Sequence, residues 1–249
     1  MLPFYAEVVP TESDLAVPAA LMGEPARAAM LLALMDGRSR PAGELARLAG
    51  ELARLAGIRP STASAHLLRL TDGGLIQVSA SGRNRYYSLT CPEVARAVEA
   101  LQALAPPVPV RSLRAARTGT ALAFARTCYD HLAGELAVGL ARTLVDRGVI
   151  APLKSGAVGQ LLQPEHELLD VLGVGAAPDF ARRPAVRGCL DWTQRVPHLA
   201  GALGAQVLSG MTGRGWILAM TSSRAVQLTD EGRRALREAA LLSDDLLVA

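Results

Sequence analysis

The chain has 249 residues, half of them apolar, and a formal net charge of +3. That is core material for two modest globular domains, and too little charge for bulk basicity by itself to identify a nucleic-acid binder. No apolar run approaches the length of a membrane span, Met1-Leu2-Pro3-Phe4-Tyr5-Ala6-Glu7 lacks the basic start of a secretory signal, and Cys91, Cys128 and Cys189 form no Cys-x-x-Cys pair, so a globular protein of the reducing cytoplasm is expected.

In chain order, Leu21 to Leu34 reads as a helix opened by Pro25. A perfect tandem repeat follows, Glu44-Leu45-Ala46-Arg47-Leu48-Ala49-Gly50 and then Glu51-Leu52-Ala53-Arg54-Leu55-Ala56-Gly57. Seven residues make almost two helical turns, so the added copy nearly preserves the apolar face. The second copy abuts the turn at Ile58-Arg59 and is expected to serve as the positioning helix, with the first copy extending it at the N-terminal end.

Pro60 then opens a helix in which Ala63, Leu67 and Leu70 recur at i, i+4 and i+7 and face the core, while Thr62, Ala65, His66 and Arg69 project from the other side. Ser61 and Thr62 stand where free backbone N–H groups and hydroxyls hold a phosphate. Gly73-Gly74 stops the helix. Leu75-Ile76-Gln77-Val78 and Tyr86-Tyr87-Ser88-Leu89 flank the tip Ser81-Gly82-Arg83-Asn84-Arg85, a hairpin signal. A tip with two arginines and an asparagine beside such a helix suits a phosphate backbone or a minor groove. Residues 1–104 balance ten arginines against ten acids, whereas residues 58–90 carry four arginines and one aspartate, so the positive charge is local to this reading head. Lys154 is the single lysine, which leaves cationic contacts to arginine, a bidentate donor.

The run from the Pro25-Ala26-Arg27 helix through Glu-Leu-Ala, Ser61-Thr62-x-Ser64-x-His66-Leu67, Gly74-Leu75-Ile76 and Gly82-Arg83-x-x-Tyr86-Tyr87-x-Leu89 resembles the ArsR-type winged-helix repressors. The resemblance covers residues 21–104 and implies a homodimer whose two recognition helices enter successive major grooves of a near-palindromic duplex operator. It implies DNA contacts from Ser61, Thr62, Ser64, His66, Arg69, Arg83, Asn84 and Arg85. Two departures stand out: the tandem repeat, where the family has one copy, and Ala65, too short to reach a base edge. The family's cysteine-bearing metal motif is also absent from residues 44–57, and the helix at 93–105 offers no His or Asp set, so a metal response is not inherited and a metal ligand set stays unknown.

Glu93 to Ala105 reads as a helix with apolar positions at Val94, Ala97, Val98, Leu101 and Leu104; the resemblance gives it, with the first helix, a part in pairing subunits. Residues 105–112 form a proline-rich linker. Arg111, Arg114 and Arg117 follow at i, i+3, i+6 as a solvated face or a phosphate-touching stripe.

Residues 131–150 align without gaps on 198–217, with eight identities in twenty positions, which makes residues 113–249 a domain with an internal repeat. Each copy ends in Gly-x-Ile, as the recognition helix does, and leads toward a hairpin and a further helix; Thr229 or Asp230 caps the last one. The expected fold is mainly α with small β-hairpins: a winged helix-turn-helix domain at 1–104 plus a C-terminal effector or interaction domain of two repeated helix-hairpin, winged-helix-like units. Neither unit has an arginine-rich wing or a Ser-Thr-x-Ser run, so sensing or dimerisation is expected of them rather than operator binding.

Cys128-Tyr129-Asp130-His131 and Cys189-Leu190-Asp191-Trp192 each put a carboxylate two residues after a thiol near the start of a repeat. Three readings stand for Cys128, Asp130, His131, Cys189, Asp191 and His198. The cysteines and histidines are an S₂N₂ metal set, or the thiols are a redox pair activated by Arg182, Arg183, Arg187 and Arg195, or all are packing residues. Leu168-Leu169-Asp170-Val171-Leu172-Gly173-Val174-Gly175 resembles, remotely, the strand-to-glycine-loop segment of S-adenosylmethionine-dependent methyltransferases. No Ser/His/Asp or paired-carboxylate arrangement stands out, and no catalytic residue is assigned. The expected function is that of a sequence-specific, dimeric transcriptional repressor, acting at the nucleoid and released by a small effector or thiol signal. The alternative is a protein-interaction module with Trp192 and Trp216 as anchors, although core packing accounts for both tryptophans.

Overall fold

The computed structural model of the chain describes residues 13–53, 60–106, 109, 112–175, 183–221 and 223–248. The described part is helical with small antiparallel sheets, and its helix-turn-helix lies in the N-terminal half. Helices α1 (Ala16–Met22) and α2 (Pro25–Ala33) precede a two-residue strand β1 (Arg40–Pro41) and α3 (Ala42–Ala53). Then come α4 (Pro60–Asp72), the hairpin β2 (Ile76–Ser81) and β3 (Asn84–Leu89), and α5 (Pro92–Leu104). The three strands pair antiparallel in the order β1-β3-β2.

The helix expected from Leu21 to Leu34 is two helices. Glu24 breaks it: its backbone is extended and its carboxylate accepts from Arg27 N at 2.9 Å, so a fresh helix starts at Pro25. Arg27 folds back and donates to the carbonyls of Leu21 and Ala20, both at 2.7 Å, which pins α1 against α2. Arg40 is a second internal staple, paired with Asp36 and Glu44 and donating to Ala33 O.

In α3 the first copy of the tandem repeat contributes Leu45, Leu48 and Ala49 to the core. Helix α3 starts two residues before Glu44; the second copy, expected to be the positioning helix, lies outside the described residues beyond Ala53. Leu45, Leu48, Leu67 and Leu70 close the core with Met30 from α2, Leu34 at its C-cap, and Ile76 and Leu89 from the hairpin, each leucine contributing roughly 1.5–3 kcal/mol.

Helix α5 buries Val94, Ala95, Val98, Glu99 and Ala103, while Leu101 and Leu104 are 49% and 83% exposed. This corrects the expected apolar stripe, because α5 turns one side toward the C-terminal half, where Arg224 donates to Glu99 at 2.7 Å and to Gln102 at 2.8 Å.

Beyond the linker, α6 (Leu113–Phe124) is capped by Ser112. Arg114 and Arg117 are exposed on it; Arg111, the first of the three arginines, lies outside the described residues. The hairpin β4 (Arg126–Cys128) and β5 (His131–Ala133) leads into α7 (Glu135–Asp146), then β6 (Val158–Gly159) and α8 (Glu167–Val171). A second hairpin, β7 (Val186–Leu190) and β8 (Pro197–Ala200), leads into α9 (Gly201–Gly213). The chain closes with β9 (Ile217–Ala219), β10 (Val226–Leu228), α10 (Asp230–Glu238) and α11 (Asp244–Val248).

Each repeated segment therefore opens on the second strand of a hairpin and turns into a helix. The turn is made by Gly134 and Gly201, with φ of 91° and 86°; a Cβ on either would stand 2.7 Å from a carbonyl oxygen, so no other residue fits. After α9 the chain forms the β9-β10 hairpin and enters α10 through Thr229, whose hydroxyl accepts from Gly232 N at 3.0 Å. After α7 no such hairpin follows: the chain closes on itself through an isolated bridge, Ile150 to Leu161, and its short strand β6 pairs with β7.

Leu168 to Val171 is helical, with Leu168, Leu169 and Leu172 buried, so no strand leads into Gly173 and the methyltransferase-like reading is withdrawn. Leu136, Leu140, Leu144, Leu203, Met211 and Leu236 centre the second core. The first core extends across the junction to Cys128, Ala133, Cys189 and Ala200, which seats both C-terminal hairpins on the N-terminal half. Among the described residues no helix is long and apolar enough to cross a membrane.

Candidate functional site

Helix α4 is rotated by its apolar residues. Ala63, Leu67 and Leu70 are 1%, 0% and 0% exposed, which leaves Ser61, Thr62, Ser64, Ala65 and Arg69 on the solvent side. His66 does not project with them. Its side chain is 16% exposed, with Nδ1 3.4 Å from the Glu24 carboxylate, so it belongs to the joint between α4 and α2. Burial pushes the Glu24 carboxyl up, but backbone hydrogen bonds from Arg27 and Ala26 and the charges of His66 and Arg27 outweigh it and hold its pKa below the ordinary value.

In the hairpin, Ser81 pairs with Asn84 and Ala80 with Arg85, so the turn is only Gly82-Arg83. Asn84 and Arg85 belong to β3, and all three of Arg83, Asn84 and Arg85 are exposed. The base of the wing is tied to β1, the strand that leads into α3, by the pairing of Arg40 with Tyr87. Two exposed arginines on a short ribbon and one exposed on the adjoining helix leave cationic groups in solvent, the chemistry that suits a phosphate backbone.

The C-terminal candidates meet in one place. Strand register puts Cys128 opposite His131 and Cys189 opposite His198, and the two hairpins bring the pairs together. The sulfurs are 4.0 Å apart across 61 residues, and the two Nε2 atoms 3.2 Å apart across 67. All four residues are buried. His131 Nδ1 lies 3.1 Å from Asp130 Oδ1, and His198 Nδ1 lies 3.4 Å from Asp191 Oδ2. Asp130 is held in turn by Arg183, and Asp191 by Gly134 N at 2.6 Å and Thr193 N at 2.8 Å.

This cluster shares charge internally. The hydrogen bond from Cys128, reinforced by His131 and His198, pulls the Cys189 thiol far below its ordinary pKa against the effect of burial; the same bond and burial push Cys128 up. Burial opposes a charge on His131, yet Asp130 and Cys189 outweigh it and raise it to about 9. Burial likewise pushes Asp191 up, and His198, Arg126, Thr193 and Gly134 N bring it well below the carboxylate range. Of the arginines expected to activate the thiols, Arg183 pairs with Asp130, Arg187 donates to Gly156 O and Arg195 to Ala103 O; Arg182 lies outside the described residues.

Sequence reasoning missed Arg126. It is fully buried, with Nη2 3.0 Å from Asp191 Oδ2 and 3.8 Å from Glu99 Oε2, and its guanidinium stacks 4.9 Å above the Trp192 ring. Nothing local marks it, since an arginine on a three-residue strand gives no sign of which face is internal.

A family model described as a helix-turn-helix domain matches residues 22–79, the segment from the end of α1 into the wing. The chain is also 40% identical over 220 residues to the uncharacterized HTH-type transcriptional regulator YdfF of Bacillus subtilis (strain 168), covering 88% of this chain and 93% of that protein. No solved structure matches the chain. The exposed face of α4, its wing and a match that runs nearly end to end agree: the chain belongs to the helix-turn-helix transcriptional regulators of ArsR type, proteins that bind DNA.

Proposed function

We propose that the protein is a dimeric repressor that reads an operator through α4 and grips the flanking backbone through the β2-β3 wing, and that a signal received by the C-terminal half changes its hold on DNA. The observation that carries the reading is the rotation of α4: with Ala63, Leu67 and Leu70 sealed in the core, Ser61, Thr62 and Arg69 face outward beside Arg83, Asn84 and Arg85. Ser64 shares that face, and His66 acts by fixing α4 on α2 rather than by reaching a base. Pairing of two copies is supported by Leu101 and Leu104, which stand in solvent on α5, one of the helices that the family resemblance assigns to subunit contact. Coupling to the C-terminal half is supported by the shared core at Cys128, Ala133, Cys189 and Ala200 and by the Glu99 ion pairs on α5.

Selection of genomic fragments by the full-length protein, followed by footprinting, tests the reading. The expected footprint has two related half-sites about one helical turn, roughly 34 Å, apart. Binding that shows no preference over competitor DNA, or a footprint of one half-site by a monomer, defeats it.

A further inference from the structure

We propose that Cys128, His131, Cys189 and His198 form a closed four-ligand site for one zinc-class divalent cation, which clips the two C-terminal hairpins together at the junction with the winged-helix half. The inference goes beyond the DNA-binding reading and does not depend on it.

The ligand types are those of a tetrahedral S₂N₂ site, which selects zinc over hard, oxygen-seeking cations. Zinc–sulfur bonds of about 2.3 Å and zinc–nitrogen bonds of about 2.0–2.1 Å, set at the tetrahedral angle, require sulfurs about 3.8 Å apart and nitrogens about 3.3–3.4 Å apart. The observed separations are 4.0 Å for Sγ to Sγ and 3.2 Å for Nε2 to Nε2, and all four donor atoms lie within 4.8 Å of one another.

The orientation of the imidazoles is the second, independent observation. Each ring has Nδ1 beside a carboxylate, Asp130 Oδ1 at 3.1 Å for His131 and Asp191 Oδ2 at 3.4 Å for His198, and the two Nε2 atoms face each other at 3.2 Å near the sulfurs. A cation among the four donors would take one Nε2 lone pair from each ring, with the Nδ1 proton left toward the carboxylate. Carboxylate behind imidazole, twice over, is the arrangement that orients histidine ligands and raises their basicity. A divalent ion replaces whatever protons the donor set carries, since both sulfurs bind as thiolates and both imidazoles as neutral donors.

The fold makes this arrangement twice. Each hairpin contributes one cysteine and one histidine facing it across the strand pair, although the first turn is two residues long and the second much longer. Neither hairpin completes a site alone. A bound ion therefore holds together segments 61 to 67 residues apart.

The test uses the full-length protein without a histidine tag, stripped with chelator under reducing, anaerobic conditions and titrated with Co²⁺ as a spectroscopic substitute. The expected result is one Co²⁺ per chain, with the d–d bands of tetrahedral cobalt and a thiolate-to-cobalt charge-transfer band, both abolished by stoichiometric Zn²⁺. Cys189→Ser halves the charge-transfer band or removes it, Asp130→Asn weakens Co²⁺ binding about 10–100-fold, and Cys91→Ser leaves the spectrum unchanged. Folded wild-type protein that gives no tetrahedral spectrum overturns the proposal, whatever the variants do. So does a spectrum that survives in the Cys128→Ser/Cys189→Ser protein, or a Cys128–Cys189 bridge forming in protein that takes up no metal, which marks a thiol switch instead.

Discussion

Arg126 and Asp191 are joined by a fully buried ion pair, Nη2 to Oδ2 3.0 Å, across 65 residues. The pair spans the two C-terminal hairpins and touches Glu99 on α5, so it links the repeat to the winged-helix half. Removing one member of a buried pair leaves an uncompensated charge in the interior, at a cost of roughly 3–5 kcal/mol. Arg126→Met is therefore expected to lower the stability of the full chain by that order in urea titrations, and a loss below about 1 kcal/mol would falsify the view that the pair holds the junction.

On the proposed nucleic-acid face, Arg83→Ala and Arg85→Ala are expected to weaken binding to every duplex alike and to flatten the salt dependence by about one charge each. Arg69→Ala is expected instead to relax preference at one operator position, by about 1–3 kcal/mol. Anisotropy titrations of labelled duplex over a salt series separate the two effects; an unchanged slope for both wing variants removes the wing from the interface.

His66 behaves differently from its neighbours. With its ring against Glu24 at 3.4 Å, His66→Ala is expected to loosen α4 on α2, lowering stability more than it alters base preference. A specificity change at unchanged melting temperature contradicts this placement.

Glu24 gives the fold an acid dependence. Its folded pKa lies below the ordinary 4.5, so its ionised form stabilises the native state at higher pH, and that contribution fades as pH falls through 4.5 toward the folded value. As cap of α2 the carboxylate contributes about 1 kcal/mol. Glu24→Ala is thus expected to destabilise at pH 7 and to differ little from the parent in strong acid. A difference that grows on acidification reverses the sign and rejects the assignment.

The seam between the halves closes at Gly37, where φ is 72° and a Cβ would stand 2.5 Å from Tyr129 O; beside it Tyr129 N donates to Met35 O at 2.6 Å. Gly37→Ala combines a left-handed conformation, about 1–2 kcal/mol, with a clash against backbone. The expected loss of stability is accompanied by faster amide exchange at Tyr129, readable by hydrogen exchange. Exchange there as slow as in the parent argues that the seam does not depend on this contact.

The residue order alone was sufficient for the features whose cause is local. The spacing of Ala63, Leu67 and Leu70 determined which side of α4 meets solvent, the polar run around Gly82 located the hairpin, and Thr229 marked the start of α10. Local patterns also exposed the internal repeat, since identical turns recur with identical glycines. They were silent or misleading wherever a partner comes from elsewhere in the chain. His66 sits at a helical position that reads as outward until α2 brings Glu24 beside it. The two identical heptapeptides are indistinguishable in sequence, and it is the tertiary packing that shows the first of them placing Leu45, Leu48 and Ala49 in the core with α2. Cys128 and Cys189 were suspected together but could not be shown to meet, and Arg126 was invisible, because strand register and hairpin docking over more than sixty residues decide which groups share a buried volume. Periodicity reports which face of an element avoids water; it carries no information about which distant face will cover it.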